Sequence, residues 1–206
     1  MEDHVQREVY HESQQSGFCG LHSLNNLLQG SYFNVVDLSN IALQIDKEEQ
    51  ELLHEAFPID SHQSNVALDG NFSFQTLKRA LDFFALQTEI LRLEHLEATE
   101  GFEALLCNLD QHWFAIRKIN GIWFNLDSLK PKPQIISDFF LSAFLNQIVS
   151  EGYSVFAVFG ELPSETMPGD GAWWDITRLT IAGHSGTGDD EAKELERAIQ
   201  MSMEQL

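Results

Sequence analysis

The pattern of apolar and polar positions predicts helices in the first part of the chain and strands in the second. Leu21, Leu24 and Leu28 recur about one helical turn apart, so a helix should begin near Cys19 and stop at Gly30. Further helices are predicted from Asp37, over 46–55, from Ser73, and from Ser137 to about Ser150. Strands are predicted at Thr88–Leu93, Ala104–Leu109, Trp113–Lys118, Ile122–Leu126 and Tyr153–Phe159. Helices packed on an antiparallel sheet give an α+β fold.

Cys19 stands where a loop rich in Gly, Ser and Gln becomes the first of these helices. A thiol in the first turn faces unpaired backbone N–H groups and the positive end of the helix dipole. Both favour the thiolate, which is the nucleophilic form of cysteine. Cys107 instead lies among apolar residues of a predicted strand, and we expect it to be a buried, inert thiol.

Asn120-Gly121, between two predicted strands, indicates a β-hairpin with a two-residue turn. If the strands pair evenly from this turn, His112, Asn125 and Asp127 point to one face of the hairpin. His112 and Asp127 are then diagonal neighbours with Cα atoms roughly 7–8 Å apart, whereas Asn125 is a pleat further away. The register therefore favours Asp127 as the partner of His112, although a one-residue bulge would reverse the face.

The residues alone leave other roles open. His22, one turn after Cys19, is a second candidate base, and a histidine such as His112 in an apolar strand is often simply a core residue. Asp127-Ser128 fits a turn at a strand end equally well. A structural zinc site formed by Cys19, His22, Cys107 and His112 is a further alternative, although its two halves lie far apart, on regular elements rather than on knuckle loops.

The charge and the cysteine content indicate which partners the protein binds and in which cellular compartment it resides. The 206 residues include 32 acidic and 12 basic side chains, a formal net charge of −20. Such a surface repels nucleic acid and anionic lipid, and it favours a partner with a basic or apolar face. Two cysteines are too few for a disulfide scaffold, and neither a signal peptide nor a membrane-spanning run is evident. We therefore expect an intracellular, reducing location.

Several stretches of the chain together carry a family pattern. They are Tyr10–Gln14, Gly17–Cys19, Leu24–Gly30, Gln111–Phe114 and Trp123–Leu129. In combination they resemble the Josephin family, papain-like cysteine proteases that cleave ubiquitin conjugates, and within it the ataxin-3-type members. The resemblance covers roughly residues 5–162 and implies a papain-like α+β domain. The charged stretch Lys47–Ala56 would correspond to the projecting helical arm of the family.

The resemblance also implies a role for each candidate catalytic residue. Cys19 would be the nucleophile, His112 the general base and acid, and Asp127 the residue that orients His112. The last position is Asn in ataxin-3 and Asp in other Josephin proteins. Gln14 would donate to the oxyanion together with the backbone N–H of Cys19, where a preorganised donor is worth about 3–4 kcal/mol. Gln15 has the same chemistry, so the choice of Gln14 rests on the family motif.

The C-terminal segment, residues 189–204, resembles a ubiquitin-interacting motif. Its apolar and small side chains form one stripe at helical spacing: Leu195, Ala198, Ile199 and Ser202. Its acidic start favours the N-terminus of a helix and suits a partner with a basic rim. By pattern alone, an ordinary amphipathic helix is the alternative.

Together these interpretations predict a deubiquitinating thiol protease. Residues 5–162 would form the catalytic domain, 163–188 a linker and 189–204 the ubiquitin-interacting motif, with Trp173-Trp174 docked back on the domain. Expected partners are ubiquitin, polyubiquitin chains and ubiquitinated proteins. We expect no cofactor, metal, nucleic acid or membrane, a monomeric state, and a cytoplasmic and nuclear location. The alternative is a non-catalytic ubiquitin receptor.

Overall fold

The computed structural model describes residues 8–14, 17–56, 71–92, 101–109, 111–163 and 167–179, with residues 53–56, 138 and 139 described by their backbone only. The predicted ubiquitin-interacting motif and Gln15 lie outside these ranges. Within them, none of the helices combines the length and the apolar character that crossing a membrane requires.

In the described part of the chain, three consecutive helices follow the first strand, and most of the other strands come after them. In order they are β1 (Glu8–His11), α1 (Cys19–Leu28), α2 (Val35–Ala56), α3 (Phe74–Asp82), β2 (Gln87–Ile90), β3 (Ala104–Leu109), β4 (His112–Ile119), β5 (Ile122–Leu126), β6 (Gln134–Ile136), α4 (Asp138–Ser150), β7 (Ser154–Phe159) and β8 (Ala172–Asp175). A single 3₁₀ turn, Ile176–Arg178, follows β8.

Six strands form one antiparallel sheet in the order β2-β7-β3-β4-β5-β6. Strand β7, the last of the six in sequence, lies between β2 and β3, which explains its mostly apolar composition. A separate pair is formed by β1 and β8. The predicted α+β class, with helices packed on an antiparallel sheet, is confirmed.

The hairpin of β4 and β5 has the predicted register. Asn120 and Gly121 both have positive φ, 49° and 78°, as a two-residue type I′ turn requires. Ile119 pairs with Ile122, and the even pairing continues to the end of β5. No bulge reverses the faces of these two strands, so residues on alternate positions of β4 and β5 share one side.

Apolar side chains pack on both faces of the six-stranded sheet. On one face they come from α1, α2 and α3 and from the strands, and they include Leu24, Leu38, Leu77, Leu106 and Trp113. On the other face they come mainly from α4 and the strands and include Cys107, Phe114, Leu141, Leu145 and Ile148. The sheet therefore lies between two helical layers, and both layers fix its position.

The second helix differs from the prediction. The sequence predicts two helices here, the first capped by Asp37, but α2 is continuous over Val35–Ala56. Asn34 is its cap, because its Oδ1 accepts from the N–H groups of Val36 at 2.8 Å and Asp37 at 3.1 Å. Asp37 instead accepts from the N–H of Asn34 at 2.9 Å, completing a reciprocal capping arrangement. No Gly or Pro stands between 35 and 56 to divide the helix.

The stretch predicted as a linker contains strand β8, which pairs with β1 near the start of the chain. Trp173 lies opposite Tyr10, with ring centroids 5.2 Å apart, and Trp174 lies opposite Val9. The N–H of Gly171 donates to Tyr10 Oη at 3.2 Å. Tyr10 is fully buried. The expectation that the two tryptophans dock on the domain is confirmed, and they do so as part of a strand.

Candidate active site

The loop before α1 determines where Cys19 lies. Gly17 and Phe18 both have a left-handed backbone, with φ of 49° and 57°. This conformation costs a residue with a Cβ roughly 1–2 kcal/mol, and such strain persists only where the surroundings enforce it. Phe18 packs against Phe72, with ring centroids 6.5 Å apart. The resulting sharp turn makes Cys19 the first residue of α1.

The first residues of β4 surround the Cys19 sulfur. The thiol donates to the carbonyl oxygen of Gln111 at 3.2 Å, and the N–H of Trp113 donates to the sulfur at 3.4 Å. Cys19 is 7 % exposed, so it is largely buried beneath these residues. His112 lies between these two residues in sequence, and the nearby Cys19 thiol is one cause of its raised pKa.

His112 is held between a carboxylate and the thiol. Its Nε2 lies 3.0 Å from Asp127 Oδ1, which leaves Nδ1 as the ring nitrogen for the Cys19 side. The hydrogen bond to Asp127, followed by the interaction with Cys19, raises the pKa of His112 to about 9, although burial acts in the opposite direction. The imidazolium form of this histidine is therefore favoured at neutral pH.

Asp127 is itself fixed by its neighbours. Burial alone would raise its pKa, but hydrogen bonds from His112 and from the N–H of Leu129 outweigh burial, so the pKa lies below its ordinary value. The N–H of Leu129 reaches Asp127 Oδ1 at 3.0 Å. Asn125, the other candidate partner of His112, instead accepts from the N–H of Asp127 at 3.1 Å. The structure thus brings His112 together with Asp127, whereas Asn125 contacts the backbone of Asp127.

Gln14 lies beside the end of β5. Its backbone N–H donates to the carbonyl oxygen of Ser128 at 2.8 Å, and the Ser128 hydroxyl donates to Gln14 Oε1 at 3.0 Å. The amide oxygen is thereby occupied, and the amide Nε2 is the group available to donate.

Comparison with known proteins places the chain in a family. Residues 14–159 match the family model described as Josephin. The chain belongs to the Josephin family. The matched range includes Cys19, His112, Asp127 and Gln14, so all the candidate catalytic residues lie within the Josephin match.

The relatives of this Josephin protein are ataxin-3 proteins. It is 39 % identical over 172 residues to an ataxin-3 homolog of Arabidopsis thaliana, an alignment that covers 76 % of this chain and 61 % of the relative. Against the ataxin-3 homolog of Caenorhabditis elegans, identity is 38 % over 159 residues, with coverage of 75 % and 50 %. Human ataxin-3 is 39 % identical over 167 residues, with coverage of 75 % and 46 %. The chain therefore spans about half the length of these relatives.

Polar side chains in the last turn of α1 and at its C-cap hold β1 and β5 together in this Josephin domain, and none of them was predicted to have a role of its own. Gln29 binds both backbone groups of Tyr10, accepting from its N–H at 2.8 Å and donating to its carbonyl at 3.1 Å. Asn26 accepts from the N–H of Glu12 at 2.6 Å and donates to the carbonyl of Leu126 at 3.0 Å. The helix of Cys19 thus fixes the strand leading to Gln14 and the strand end leading to Asp127.

These contacts also change the predicted end of α1. The helix ends at Leu28, and Gln29 rather than Gly30 takes the left-handed conformation, with φ of 64°. Its two bonds to the Tyr10 backbone stabilise a conformation that a glycine would otherwise supply. The signal that could have identified these residues is the set of three amides, Asn25, Asn26 and Gln29, among the leucines at the end of α1.

His22, the second candidate base, is paired with a different carboxylate. Its Nδ1 lies 2.7 Å from Glu12 Oε2. Glu12 is 6 % exposed and also accepts from Tyr10 Oη at 2.7 Å and from Asn25 Nδ2 at 3.0 Å. Such a buried carboxylate is stabilised only when its oxygens are hydrogen-bonded. His22 therefore belongs to a network that ties α1 to β1, whereas His112 contacts the thiol.

The zinc alternative receives no support from the described residues. Cys107 is fully buried in the apolar cluster on the α4 side, whereas Cys19 belongs to the cluster on the α1 side. Burial raises the pKa of the Cys107 thiol, which keeps it protonated. Among the described side chains, no three of His, Cys, Asp or Glu are arranged to hold a metal ion.

Proposed function

We propose that this protein is a deubiquitinating cysteine protease that hydrolyses ubiquitin isopeptide bonds with Cys19, His112 and Asp127. The observation that carries the proposal is the 3.0 Å hydrogen bond between His112 Nε2 and Asp127 Oδ1, beside the sulfur at the start of α1. Family membership supports it, because Josephin proteins of the ataxin-3 type are known as deubiquitinating enzymes. A base oriented by a third group is the arrangement that nucleophilic catalysis needs.

In the proposed acylation step, the Cys19 thiolate, paired with the imidazolium of His112, attacks the isopeptide carbonyl carbon. Negative charge develops on the carbonyl oxygen as the tetrahedral intermediate forms. Gln14 Nε2 and the backbone N–H of Cys19 donate to that oxygen, and such donors act most strongly where charge develops. The imidazolium of His112, stabilised by ionised Asp127, then protonates the leaving lysine amine as the C–N bond breaks.

In the proposed deacylation step, water hydrolyses the thioester between Cys19 and the ubiquitin C-terminus. His112 takes a proton from the attacking water, and the same two donors stabilise the second oxyanion. Collapse of that intermediate breaks the C–S bond, releases the ubiquitin carboxylate and restores the pair of Cys19 thiolate and His112 imidazolium. The cycle consumes one water molecule and needs no cofactor.

We also propose that residues 189–204 bind ubiquitin chains. The proposal rests on the stripe at helical spacing and the acidic start of this segment. A helix of this length is marginal in water, so its order would come largely from binding an apolar patch on the partner. Ubiquitin chains and ubiquitinated proteins are the proposed partners of the whole chain.

Turnover of a minimal substrate tests the proposed activity. Wild type should hydrolyse ubiquitin that carries a fluorogenic amide at its C-terminus, and Cys19→Ala should lower kcat by more than about a thousandfold. Cys107→Ala is the matched control and should retain kcat, because Cys107 lies in the other apolar cluster. Binding of ubiquitin without turnover by wild type would instead favour the non-catalytic receptor.

A further inference from the structure

Ser128 and Gln14 are joined by two hydrogen bonds of different kinds. One is between backbones, from Gln14 N–H to the Ser128 carbonyl at 2.8 Å. The other is between side chains, from Ser128 Oγ to Gln14 Oε1 at 3.0 Å. Since an amide oxygen can only accept, the hydroxyl is the donor. Ser128 is 1 % exposed, so its hydroxyl sits in a fixed and largely dry position.

The side-chain hydrogen bond determines which end of the Gln14 amide faces a ligand. The last torsion of a glutamine side chain is broad, so an unrestrained amide presents either its oxygen or its nitrogen. Oxygen directed at a developing oxyanion would repel it, whereas the nitrogen would donate to it. With Oε1 bound to Ser128, the NH₂ end is left to donate.

We infer that Ser128 is a positioning residue that fixes the polarity of the Gln14 amide for oxyanion stabilisation. The inference rests on the proposed function and adds a residue to it. Two consecutive residues at the end of β5 then serve the two halves of the site, since Asp127 orients His112 and Ser128 orients Gln14. The turn expected at Asp127-Ser128 is also present, with Lys130 N–H donating to Asp127 O at 2.9 Å.

A double-mutant cycle separates positioning from a general structural role. Ser128→Ala removes the side-chain hydrogen bond but keeps the backbone one, so the fold should persist. With the fluorogenic ubiquitin substrate, we expect kcat to fall about tenfold in Ser128→Ala and about a hundredfold in Gln14→Ala, with KM nearly unchanged. The double variant should match Gln14→Ala, because Ser128 acts only through that amide.

Two controls sharpen the test. Ser13→Ala removes a neighbouring exposed hydroxyl, which donates to Lys130 O at 3.0 Å, and should leave kcat unchanged. Alkylation of Cys19 by iodoacetamide generates no oxyanion, so its rate should be the same in wild type and Ser128→Ala.

Three results would overturn the inference while leaving the proposed function intact. The first is a kcat of Ser128→Ala equal to that of wild type. The second is a further tenfold loss of kcat when Ser128→Ala is added to Gln14→Ala. The third is a loss of alkylation rate in Ser128→Ala as large as its loss of kcat. A wild type without turnover would overturn the proposed function itself, and the inference with it.

Discussion

Asp127 controls the charge of His112. The hydrogen bond between them is the largest cause that raises the His112 pKa to about 9, above the ordinary value of 6.5. A folded-state pKa above the unfolded one means that the folded chain binds the proton more tightly. The resulting contribution to stability is complete below pH 6.5 and is lost as the pH rises through about 9.

Replacement of Asp127 by Asn should therefore change the pH dependence of catalysis. In the proposed mechanism the His112 imidazolium protonates the leaving group, so kcat/KM of wild type should fall as the pH rises through about 9. Asp127→Asn removes the main cause of the raised pKa and should move this alkaline limb toward 6.5. A pH profile with the fluorogenic ubiquitin substrate measures the limb.

A second carboxylate provides the control for this prediction. Asp82→Asn changes a residue whose carboxylate lies 3.6 Å from Lys78 on α3, outside the candidate site. Asp82→Asn should leave the alkaline limb of kcat/KM at the wild-type pH. An alkaline limb that stays at the wild-type pH in Asp127→Asn would contradict the assigned partnership of His112 and Asp127.

At the level of residues, the sequence alone predicts which side chains lie on the same face of a hairpin with a regular turn. His112 and Asp127 were predictable because strand alternation and the Asn-Gly turn determine which residues share a face. Asn26 and Gln29 were not, because their partners are backbone atoms of β1 and β5, and no side-chain pattern marks such contacts. Ser128 was predicted only as part of a turn, since its contact with Gln14 joins segments 114 residues apart.

At the level of elements, α1, α3, α4 and five strands of the six-stranded sheet were predictable, whereas β1, β6 and β8 were not, and α2 was predicted as two helices. The bounds of β3 and β5 agree with the prediction, and Ser73 and Ser137 cap α3 and α4 as expected. Strands β1 and β8 have four residues each and pair across the length of the described chain. Local periodicity cannot indicate such a pairing, because neither strand is long enough to show alternation.

Strand β8 should be required for the stability of the domain. Strand β8 packs on Tyr10. A Cβ added at Gly171, the residue before β8, would lie 2.4 Å from the Tyr10 ring, so there is no room for a larger residue there. A chain ending after Leu162 should lose at least about 2 kcal/mol of unfolding free energy, from lost apolar burial and the lost hydrogen bond to Tyr10. For a domain of this size, each kcal/mol lowers Tm by about 2–4 °C.

A longer truncation provides the comparison. A chain ending after Leu179 keeps β8 and the 3₁₀ turn, so its Tm in a calorimetric scan should equal that of the full chain. Equal melting temperatures for the chains ending after Leu162 and Leu179 would show that β8 contributes nothing to the fold.

At the scale of the whole molecule, we propose that a catalytic domain and a segment that binds ubiquitin chains belong to one strongly acidic protein. The net charge of −20 favours partners with basic surfaces. Two sites on one chain raise the apparent affinity for a polyubiquitin chain without changing the chemistry at Cys19. Affinity for chains and cleavage of a minimal substrate should therefore respond to different substitutions.

Substitutions in the C-terminal stripe test this separation. Leu195→Ala or Ala198→Gly should weaken binding of polyubiquitin about tenfold or more, because anchor residues dominate such small interfaces. Hydrolysis of the fluorogenic ubiquitin substrate should stay at the wild-type rate. Gln200→Ala, outside the stripe, is the control and should bind chains normally. Unchanged chain affinity in both stripe variants, measured by titration calorimetry, would refute the role of the segment.

Covalent trapping of the nucleophile tests the central claim most directly. Ubiquitin with an electrophile at its C-terminus should add once to wild type, and mass spectrometry of the digested adduct should place the new bond on Cys19. Labelling should disappear in Cys19→Ala and persist in Cys107→Ala. An unlabelled wild type, or an adduct on Cys107, would contradict the assignment of this Josephin protein as a deubiquitinase that uses Cys19.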